Sequence, residues 1–344
     1  MQDIKELSLE QLKKLLETWQ MPSYHAKQIF CWIYKRGVFD PLQMTDLPLN
    51  LRTLLKKNFF IFNLKLIKIL DSLDGTKKFL FKLKDNNFIE AVIIPTEKRM
   101  TACISTQVGC KFKCKFCASG RLGFRRNLTC GEMLDELLFL KKNSFNKNLT
   151  HLVFMGIGEP LDNYDNVLKA IRIINSIYAF NLGARRITIS TCGIIPGIKR
   201  LIEEPLQIEL SISLHAPDDK TRTLLMPVNK IYPLEELMLT LKEYIKKKHR
   251  QITFEYVLIK DINSSLSCAE NLVKILKPLK LVKVNLIAAN PIKELNIAAP
   301  NKLEILLFKD YLLKNGINAT LRRPRGQDIE ASCGQLRLRY EKEA

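Results

Sequence analysis

From about residue 100 onward the chain alternates between two hydrophobic periods, and this alternation limits the fold more than any other feature. Seven short apolar stretches are typical of buried strands, and they lie at 102–106, 151–155, 186–191, 207–214, 251–259, 282–288 and 317–321. Helical stretches lie between most of them, at 131–142, 164–177, 234–248, 264–276 and 302–315. This order predicts an α/β fold with a parallel sheet, open or closed into a partial barrel. Chemistry is then expected in the loops that follow the strands.

The first hundred residues follow a different pattern. Residues 9–19, 24–36 and 51–60 have apolar positions at helical spacing, and Ser8 with Gln11 forms a capping-box pattern before the first stretch. Apolar stretches near 64–71, 78–84 and 88–94, separated by turn signals, predict a small antiparallel meander. We therefore predict an N-terminal helical domain at 1–62, a β extension at 63–98 and a catalytic core at 99–344.

The charge of the chain admits two interpretations. Lys and Arg number 55 against 35 Asp and Glu, a net charge of +20 over 344 residues. A polyanionic partner such as nucleic acid would explain the excess, and so would a lysine-rich composition alone. With 47% hydrophobic and 26% charged residues, the chain is not generally disordered. Binding to a nucleic acid would weaken steeply with salt.

The sequence shows neither a membrane-spanning segment nor a secretory signal, and these two observations bear on the cellular location. No apolar run reaches the roughly 18 residues of a membrane-spanning helix, and the charged N-terminus does not resemble a secretory signal. We expect a cytoplasmic protein with no membrane partner. In that reducing compartment its nine cysteines would be thiols, metal ligands or catalysts rather than structural disulfides.

Three cysteines form the most specific motif. Cys110, Cys114 and Cys117 lie within eight residues, after a predicted strand and before a predicted helix. A structural zinc site usually takes four ligands in two separated pairs, and no fourth Cys or His stands at a suitable spacing. Three thiolates suit a [4Fe–4S] cluster with one open iron, which can bind the amine and carboxylate of a small molecule.

This spacing in the first βα loop resembles the radical S-adenosylmethionine (SAM) superfamily. Six ordered motifs extend the likeness to the RlmN/Cfr family of RNA adenine methyltransferases, over about residues 20 to 340. They are QVGC at 107–110, CASG at 117–120, MGIGEPL at 155–161, STCGIIP at 190–196, SLHAP at 213–217 and ASCGQL at 331–336.

The resemblance implies a radical SAM partial (β/α)6 barrel with a helix-hairpin-helix-like accessory domain that binds RNA. It implies one [4Fe–4S] cluster on Cys110, Cys114 and Cys117, with SAM as the second cofactor. Glycines in the 155–161 motif would let the backbone approach SAM closely. The implied SAM contacts are Gly158, Glu159, Ser190, Ser213, Leu214, His215 and Asn290.

The resemblance also implies a mechanism that suits adenine C2, an electron-poor carbon that ordinary methyl transfer cannot modify. Cys333 would take a methyl group from one SAM, and a second SAM would yield a 5′-deoxyadenosyl radical that removes a hydrogen from this methyl. The resulting carbon radical would add to C2. Glu90 would remove the C2 proton, and Cys103 would attack the sulfur of Cys333, forming a transient disulfide and releasing the base.

Three details favour the C2-methylating branch over the C8-methylating, Cfr-like branch: Pro160, Ala216 and the sequence RGQD at 325–328. The implied substrates are an adenosine in the peptidyl-transferase centre of 23S rRNA and the adenosine 3′ of the anticodon in tRNA. Each base must leave its stack to be reached. An electron donor such as flavodoxin and a monomeric state are the family's expectations.

Two alternatives stay open at the level of sequence. One is a Cfr-like C8 methyltransferase, and the other is a non-catalytic RNA-binding protein stapled by a metal. The stretch 101–130, with no acidic residue, would face RNA or form a solvated loop. Its basic residues are Lys111, Lys113, Lys115, Arg121, Arg125 and Arg126. The cysteines interpreted as buried packing residues are Cys31, Cys130, Cys192 and Cys268.

Overall fold

The structure is a computed structural model, and it describes residues 1–121, 123–144, 148–290, 297–322, 325–329, 336–338 and 340. The α-helices in these ranges, in chain order, are α1 Leu9–Thr18, α2 His25–Phe30, α3 Leu49–Asn58, α4 Cys130–Lys142, α5 Tyr164–Asn175, α6 Ile195–Glu203, α7 Asp219–Leu225, α8 Leu234–Lys248, α9 Leu266–Leu276 and α10 Lys302–Lys314. A π-helical turn, Cys31–Lys35, continues α2.

The described strands form two pairs of two-residue strands and one large sheet of ten strands. In chain order they are β1 Gln2–Asp3, β2 Phe59–Phe60, β3 Lys65–Asp71, β4 Lys77–Lys82, β5 Phe88–Pro95, β6 Met100–Cys103, β7 Gln107–Val108, β8 Arg126–Asn127, β9 His151–Phe154, β10 Ile187–Thr191, β11 Glu209–Ser213, β12 Ile252–Leu258, β13 Val282–Ala288 and β14 Asn318–Leu321.

Ten of the described strands form one continuous sheet in the order β14-β13-β12-β11-β10-β9-β6-β5-β4-β3. From β6 to β14 neighbouring strands are parallel, as the alternating sequence pattern predicts. The meander of β3, β4 and β5 is antiparallel and joins this sheet through β5 and β6. The predicted β extension is therefore hydrogen-bonded to the core as part of the same sheet.

Several local predictions need correction. The first strand of the core ends at Cys103 instead of continuing to Thr106, because Ser105 leaves the ladder and its side chain hydrogen-bonds elsewhere. The helices α6 and α7 lie in stretches for which no helix was predicted. The predicted capping box at the start of α1 is present: the Gln11 N–H donates to Ser8 Oγ, and the Ser8 N–H donates to the Gln11 side chain.

A buried ion pair joins the N-terminal helices to the core. Lys5 is fully buried, and its Nζ lies 2.6 Å from Asp3 Oδ1 and 3.1 Å from Oδ1 of Asp135 on α4. It also donates to the carbonyl of Ile61. The N–H of Asn63 donates to the other oxygen of Asp135. These contacts fix the N-terminal region against the outer face of α4.

No helix in the described ranges is both long enough and apolar enough to cross a lipid bilayer.

Candidate active site

The loop that follows β6 carries the three closely spaced cysteines, Cys110, Cys114 and Cys117. The antiparallel pair of β7 and β8 holds its two ends together. Gly109, directly before the first cysteine, has a φ of +80°, and a Cβ there would lie 1.6 Å from the carbonyl oxygen of Gly123. Only glycine permits this close approach. The cysteines therefore lie on a loop whose two ends are packed against each other.

The three thiols share one electrostatic environment. Burial raises the pKa of Cys110 to about 12, with a further contribution from Cys117. Burial also raises the pKa of Cys114 well above its ordinary value, and Cys117 and Cys110 add to the rise. Without a cation the thiols of Cys110 and Cys114 stay protonated, so the metal itself must favour their thiolate form.

The donor set fits an iron–sulfur cluster. Within the described ranges, no three Cys, His, Asp or Glu side chains converge closely enough to hold a single metal ion. A four-iron cluster needs no such convergence, because each protein thiolate binds a different iron. Cys110, Cys114 and Cys117 are three soft donors that would hold such a cluster and leave its fourth iron without a protein ligand.

The turn after β9 carries Gly158 and Glu159, two of the expected SAM contacts. Gly158 has a φ of +108°, and a Cβ there would lie 2.7 Å from the main-chain nitrogen of Gln107. Crowding by the protein's own chain therefore already requires glycine at this position, and the close approach of SAM to this turn stays a prediction. Glu159 is buried, and its carboxylate accepts hydrogen bonds from the N–H groups of Leu161 (3.0 Å) and Cys192 (2.7 Å). Glu159 thereby fixes the turn against the end of β10.

The remaining expected SAM contacts lie where other parallel strands end. Ser190 lies in β10, Ser213 is the last residue of β11, and Asn290 follows β13. Ser190 pairs with Ser211, which is two residues from Ser213, so Ser190 and Ser213 lie on one face of the sheet. Because the strands are parallel, these residues gather at the same edge as the turn after β9.

His215 packs against the cysteine loop. It is buried with a φ of +57°, and its ring lies edge-on to Phe116, with centroids 4.6 Å apart. Burial, assisted by the charge of Arg222, lowers the pKa of His215 to about 3. The N–H of Val257 donates to His215 Nδ1 (3.0 Å), so the neutral ring carries its proton on Nε2. Leu214, the residue before it, is fully buried.

Glu90 and Cys103, the expected base and the expected attacking cysteine, lie on neighbouring antiparallel strands. Val92 of β5 pairs with Cys103 of β6, and Ser105 Oγ donates to the main-chain oxygen of Glu90 (2.7 Å). The Glu90 side chain is buried, and its Oε2 lies 3.0 Å from Nζ of Lys78, a fully buried lysine on β4. The sheet register thus places the two expected catalytic residues on adjacent strands, with a lysine in contact with Glu90, and their catalytic roles stay predictions.

The turn between β3 and β4 binds a segment from the other end of the chain. Ser72 Oγ donates to Asp328 Oδ1 (2.5 Å), and the N–H of Leu73 donates to Asp328 Oδ2 (3.0 Å). In return, the N–H of Gly326 donates to Asp74 Oδ2 (3.1 Å). This mutual contact docks residues 325–328 onto the meander.

Cys333, the expected methyl acceptor, lies outside the described residues. Arg337 follows it by four positions and is buried, and its main-chain N–H donates to Glu90 Oε1 (2.5 Å). The described residues on both sides of Cys333 are therefore attached to the antiparallel part of the sheet. The second attachment is made to Glu90 itself.

Comparison with known proteins matches both parts of the chain. A family model for the radical SAM superfamily covers residues 104–265, and one for the ribosomal RNA large subunit methyltransferase N-terminal domain covers residues 2–61. A probable dual-specificity RNA methyltransferase RlmN from Thermoanaerobacter sp. (strain X514) is 45% identical over 344 residues, 100% of both chains. The chain belongs to the RlmN family.

A second RlmN relative, from Thermotoga maritima, is 46% identical over 98% of each chain. The crystal structure of a radical SAM methyltransferase from Sphaerobacter thermophilus superposes with a TM-score of 0.93 at 40% identity, covering 97% of this chain and 99% of that one. Membership of the RlmN family confirms the predicted α/β radical SAM fold and the enzyme class, a radical SAM RNA methyltransferase. It also confirms the predicted cofactors, a [4Fe–4S] cluster and SAM.

The sequence did not predict that Lys78 and Arg222 are buried. Lys78 lies beside Lys77 at the start of β4, and Arg222 lies on the short helix α7. Both are fully shielded from solvent. Nothing in the sequence distinguishes Lys78 from its neighbour Lys77, which is partly exposed. Nothing in the local pattern around Arg222 distinguishes it from an exposed helical arginine.

Part of the basic stretch before α4 is committed to ion pairs within the protein. Arg126 binds Asp85 (2.6 Å) and Glu132 (2.7 Å), and Lys111 Nζ lies 2.5 Å from Asp162. The Arg126 contacts tie the stretch to the turn after β4 and to the start of α4. Its role as an RNA-facing surface stays a prediction.

Proposed function

We propose that this enzyme methylates C2 of adenosine in 23S rRNA, at the peptidyl-transferase centre, and of the adenosine 3′ of the anticodon in tRNA. The relatives named above are described as dual-specificity RNA methyltransferases, which supports RNA of two kinds as substrate. Pro160, Ala216 and the RGQD sequence at 325–328 favour C2 over C8.

One structural observation carries the proposal. The main-chain oxygen of Glu90 accepts a hydrogen bond from Ser105, two residues after Cys103, and its carboxylate accepts one from the N–H of Arg337, four residues after Cys333. A buried carboxylate attached to segments that are close in sequence to both expected cysteines is suited to accept a proton from a base held there.

The chain's residues would divide the chemistry as follows. When bound, the cluster supplies the electron that splits SAM into methionine and a 5′-deoxyadenosyl radical. Cys333 accepts a methyl group on sulfur from a first SAM, and after this carbon has lost a hydrogen to the adenosyl radical it bonds to C2. Glu90 then accepts the C2 proton. Cys103 attacks the sulfur of Cys333 as a thiolate and breaks the bond between that sulfur and the new methyl carbon; this carbon takes up a proton, a disulfide forms, the methylated base leaves, and the unpaired electron returns to the centre that supplied it.

Lys78 fits this assignment because it binds the form of Glu90 that can accept a proton. Its ammonium group lies at ion-pair distance from the carboxylate, and both groups are withdrawn from water. Lys78 would therefore hold the Glu90 side chain in place until a substrate arrives. It is a positioning residue, because it acts through Glu90.

The proposal includes the setting of the reaction. A flavodoxin-type protein would supply electrons, the enzyme would act as a monomer, and the reaction would take place in the cytoplasm, where its RNA substrates are and where thiols stay reduced. The strongly basic composition, with a net charge of +20, supports binding to RNA.

The decisive experiment is complementation of a bacterial strain that lacks its own adenine-C2 methyltransferase. Nucleosides from digested 23S rRNA and tRNA are then identified by mass spectrometry. The expected product is 2-methyladenosine in both RNAs. Finding 8-methyladenosine alone would assign the Cfr-like activity instead, and finding neither with a fully loaded enzyme would leave RNA binding without catalysis.

A further inference from the structure

Arg222 is a fully buried arginine whose described partners are all neutral. Nη1 donates to Asn229 Oδ1 (2.8 Å), and Nη2 donates to the carbonyl oxygen of Cys192 (2.6 Å). Nε is buried and has no hydrogen-bond partner. Among the described residues no Asp or Glu forms an ion pair with it. A charged guanidinium is rarely buried without an anion, because its desolvation costs several kcal/mol.

The position of Arg222 is set by the cysteine loop. The N–H of Lys115, between the second and third cysteines, donates to the carbonyl of Leu225 at the end of α7 (2.9 Å), the helix that carries Arg222. Phe116 of the same loop contacts His215, whose imidazole pKa is lowered in part by the Arg222 charge. The helix that carries the guanidinium is therefore hydrogen-bonded to the loop that would hold the cluster.

Charge interactions point to the same neighbour. Burial raises the pKa of Cys114 well above its ordinary value, and the charge of Arg222 acts against that rise. In turn, burial lowers the pKa of Arg222, and Cys192 and Cys114 act against that change. Arg222 and the thiol of Cys114 are thus close enough to influence each other's ionisation.

The iron–sulfur cluster of the family could supply the negative charge that the buried Arg222 guanidinium lacks. A [4Fe–4S] core bound by three thiolates carries one net negative charge when oxidised and two when reduced. We propose that Arg222 is the charge partner of this cluster and stabilises its reduced state. A nearby cation interacts more strongly with the more negative state, particularly in a site of low dielectric constant. Arg222 is a positioning residue that raises the reduction potential.

The inference rests on the cofactor shared by the family and not on the RNA substrate proposed above. It is therefore tested without RNA, and an enzyme that failed to methylate C2 could still support it. The measurement is the midpoint potential of the anaerobically reconstituted enzyme, followed by visible absorbance or electron paramagnetic resonance. Iron and sulfide contents are measured for each protein, so that only fully loaded samples are compared.

Two substitutions at this position separate charge from packing. Arg222→Met keeps most of the volume and removes the charge, and we expect a more negative midpoint potential. Arg222→Lys keeps the charge, and its potential should remain close to that of the native enzyme. The matched control is Arg200→Met, which removes an exposed arginine on α6 that stacks over Tyr164 and should leave the potential unchanged.

An unchanged potential in fully loaded Arg222→Met would overturn the proposal. If Arg222→Lys shifted the midpoint potential as much as Arg222→Met, the proposal would also be overturned. The hydrogen bonds of the guanidinium, and not its charge, would then set the potential. If Arg222→Met does not fold, Asp219→Asn decides. The carboxylate of Asp219 accepts from Asn229 (2.7 Å) and partly offsets the Arg222 charge, so its neutralisation should raise the potential. No rise would count against the proposal.

Discussion

Lys78 Nζ lies 3.0 Å from Glu90 Oε2, and both side chains are almost completely removed from solvent. Leu80 of β4 is paired with Glu90 of β5, and Lys78 is paired with Val92 two residues further along. The lysine therefore reaches the carboxylate diagonally across two adjacent strands. This contact positions a residue that we assign to proton transfer.

Replacing Lys78 with Met should leave a buried carboxylate without its cation. We expect a loss of about 3 kcal/mol in the free energy of unfolding, since breaking one side of a buried ion pair strands the other charge. Methylation should fall by about 10²-fold, because Glu90 loses the contact that holds its carboxylate in place to accept the C2 proton.

Activity on an rRNA fragment and urea unfolding measure the two effects of Lys78→Met. Lys77→Met is the matched control, because Lys77 pairs with Asp71 near the surface and such pairs contribute little. Equal losses in both variants would contradict the special role of Lys78.

Replacing Cys103 with Ala should stop the reaction after the new carbon–carbon bond has formed. Addition of the Cys333 carbon to C2 does not use Cys103, but release of the base does. We expect a protein–RNA adduct that survives denaturing electrophoresis and disappears on treatment with ribonuclease. Cys268→Ala, on α9, should turn over normally. Normal turnover by Cys103→Ala would remove Cys103 from the mechanism.

Replacing Asp328 with Ala should detach residues 325–328 from the meander. Asp328 accepts two hydrogen bonds from the turn between β3 and β4, and their loss is worth on the order of 1–2 kcal/mol. We expect activity to fall about tenfold while SAM affinity stays unchanged, because the segment leads to Cys333 and not to the SAM-facing strand ends.

Hydrogen exchange checks the structural part of the Asp328→Ala prediction. Amide protons of Leu73 and Gly326 should exchange faster in the variant. Asp310→Ala, an exposed change on α10, should alter neither exchange nor activity. Unchanged exchange in Asp328→Ala would mean that the contact does not hold the segment.

The pH dependence of stability should contain a contribution from Asp135. Burial raises the pKa of Asp135 from 3.8 to about 7, although Lys5 opposes the rise. Between these values the folded protein binds a proton that the unfolded chain has released, so this stabilising contribution is present at low pH and is lost as the pH rises to about 7.

Asp135→Asn should remove that dependence. We expect the stability of the native protein relative to the variant to fall by on the order of 2 kcal/mol between about pH 5 and pH 8. Urea unfolding at several pH values gives the difference. Asp165→Asn, at an exposed ion pair, serves as the control. Parallel pH profiles for the native protein and Asp135→Asn would show that Asp135 does not titrate in this range.

Much of the fold could be read from local patterns. The meander predicted near 64–71, 78–84 and 88–94 corresponds to β3, β4 and β5. It could be predicted because the turn residues and the alternation of apolar residues that indicate a hairpin are close together in the sequence. The same patterns could not show that β5 pairs with β6. Such a pairing depends on which strand edges meet in space, and the apolar pattern of one strand does not indicate which other strand it pairs with.

The sequence by itself determined the family, the cofactors and the positions of the cysteine motif, because these are carried by residue types at short, fixed spacings. Only the tertiary structure decided which charges lie near them. Lys78 meets Glu90 through the register of two strands, and Arg222 meets Cys192 through the packing of α7 against the end of β10. Because both cations are buried, each needs a nearby negative charge or hydrogen-bond acceptors, which an exposed cation does not need. Whether a residue is buried is decided only when the chain packs.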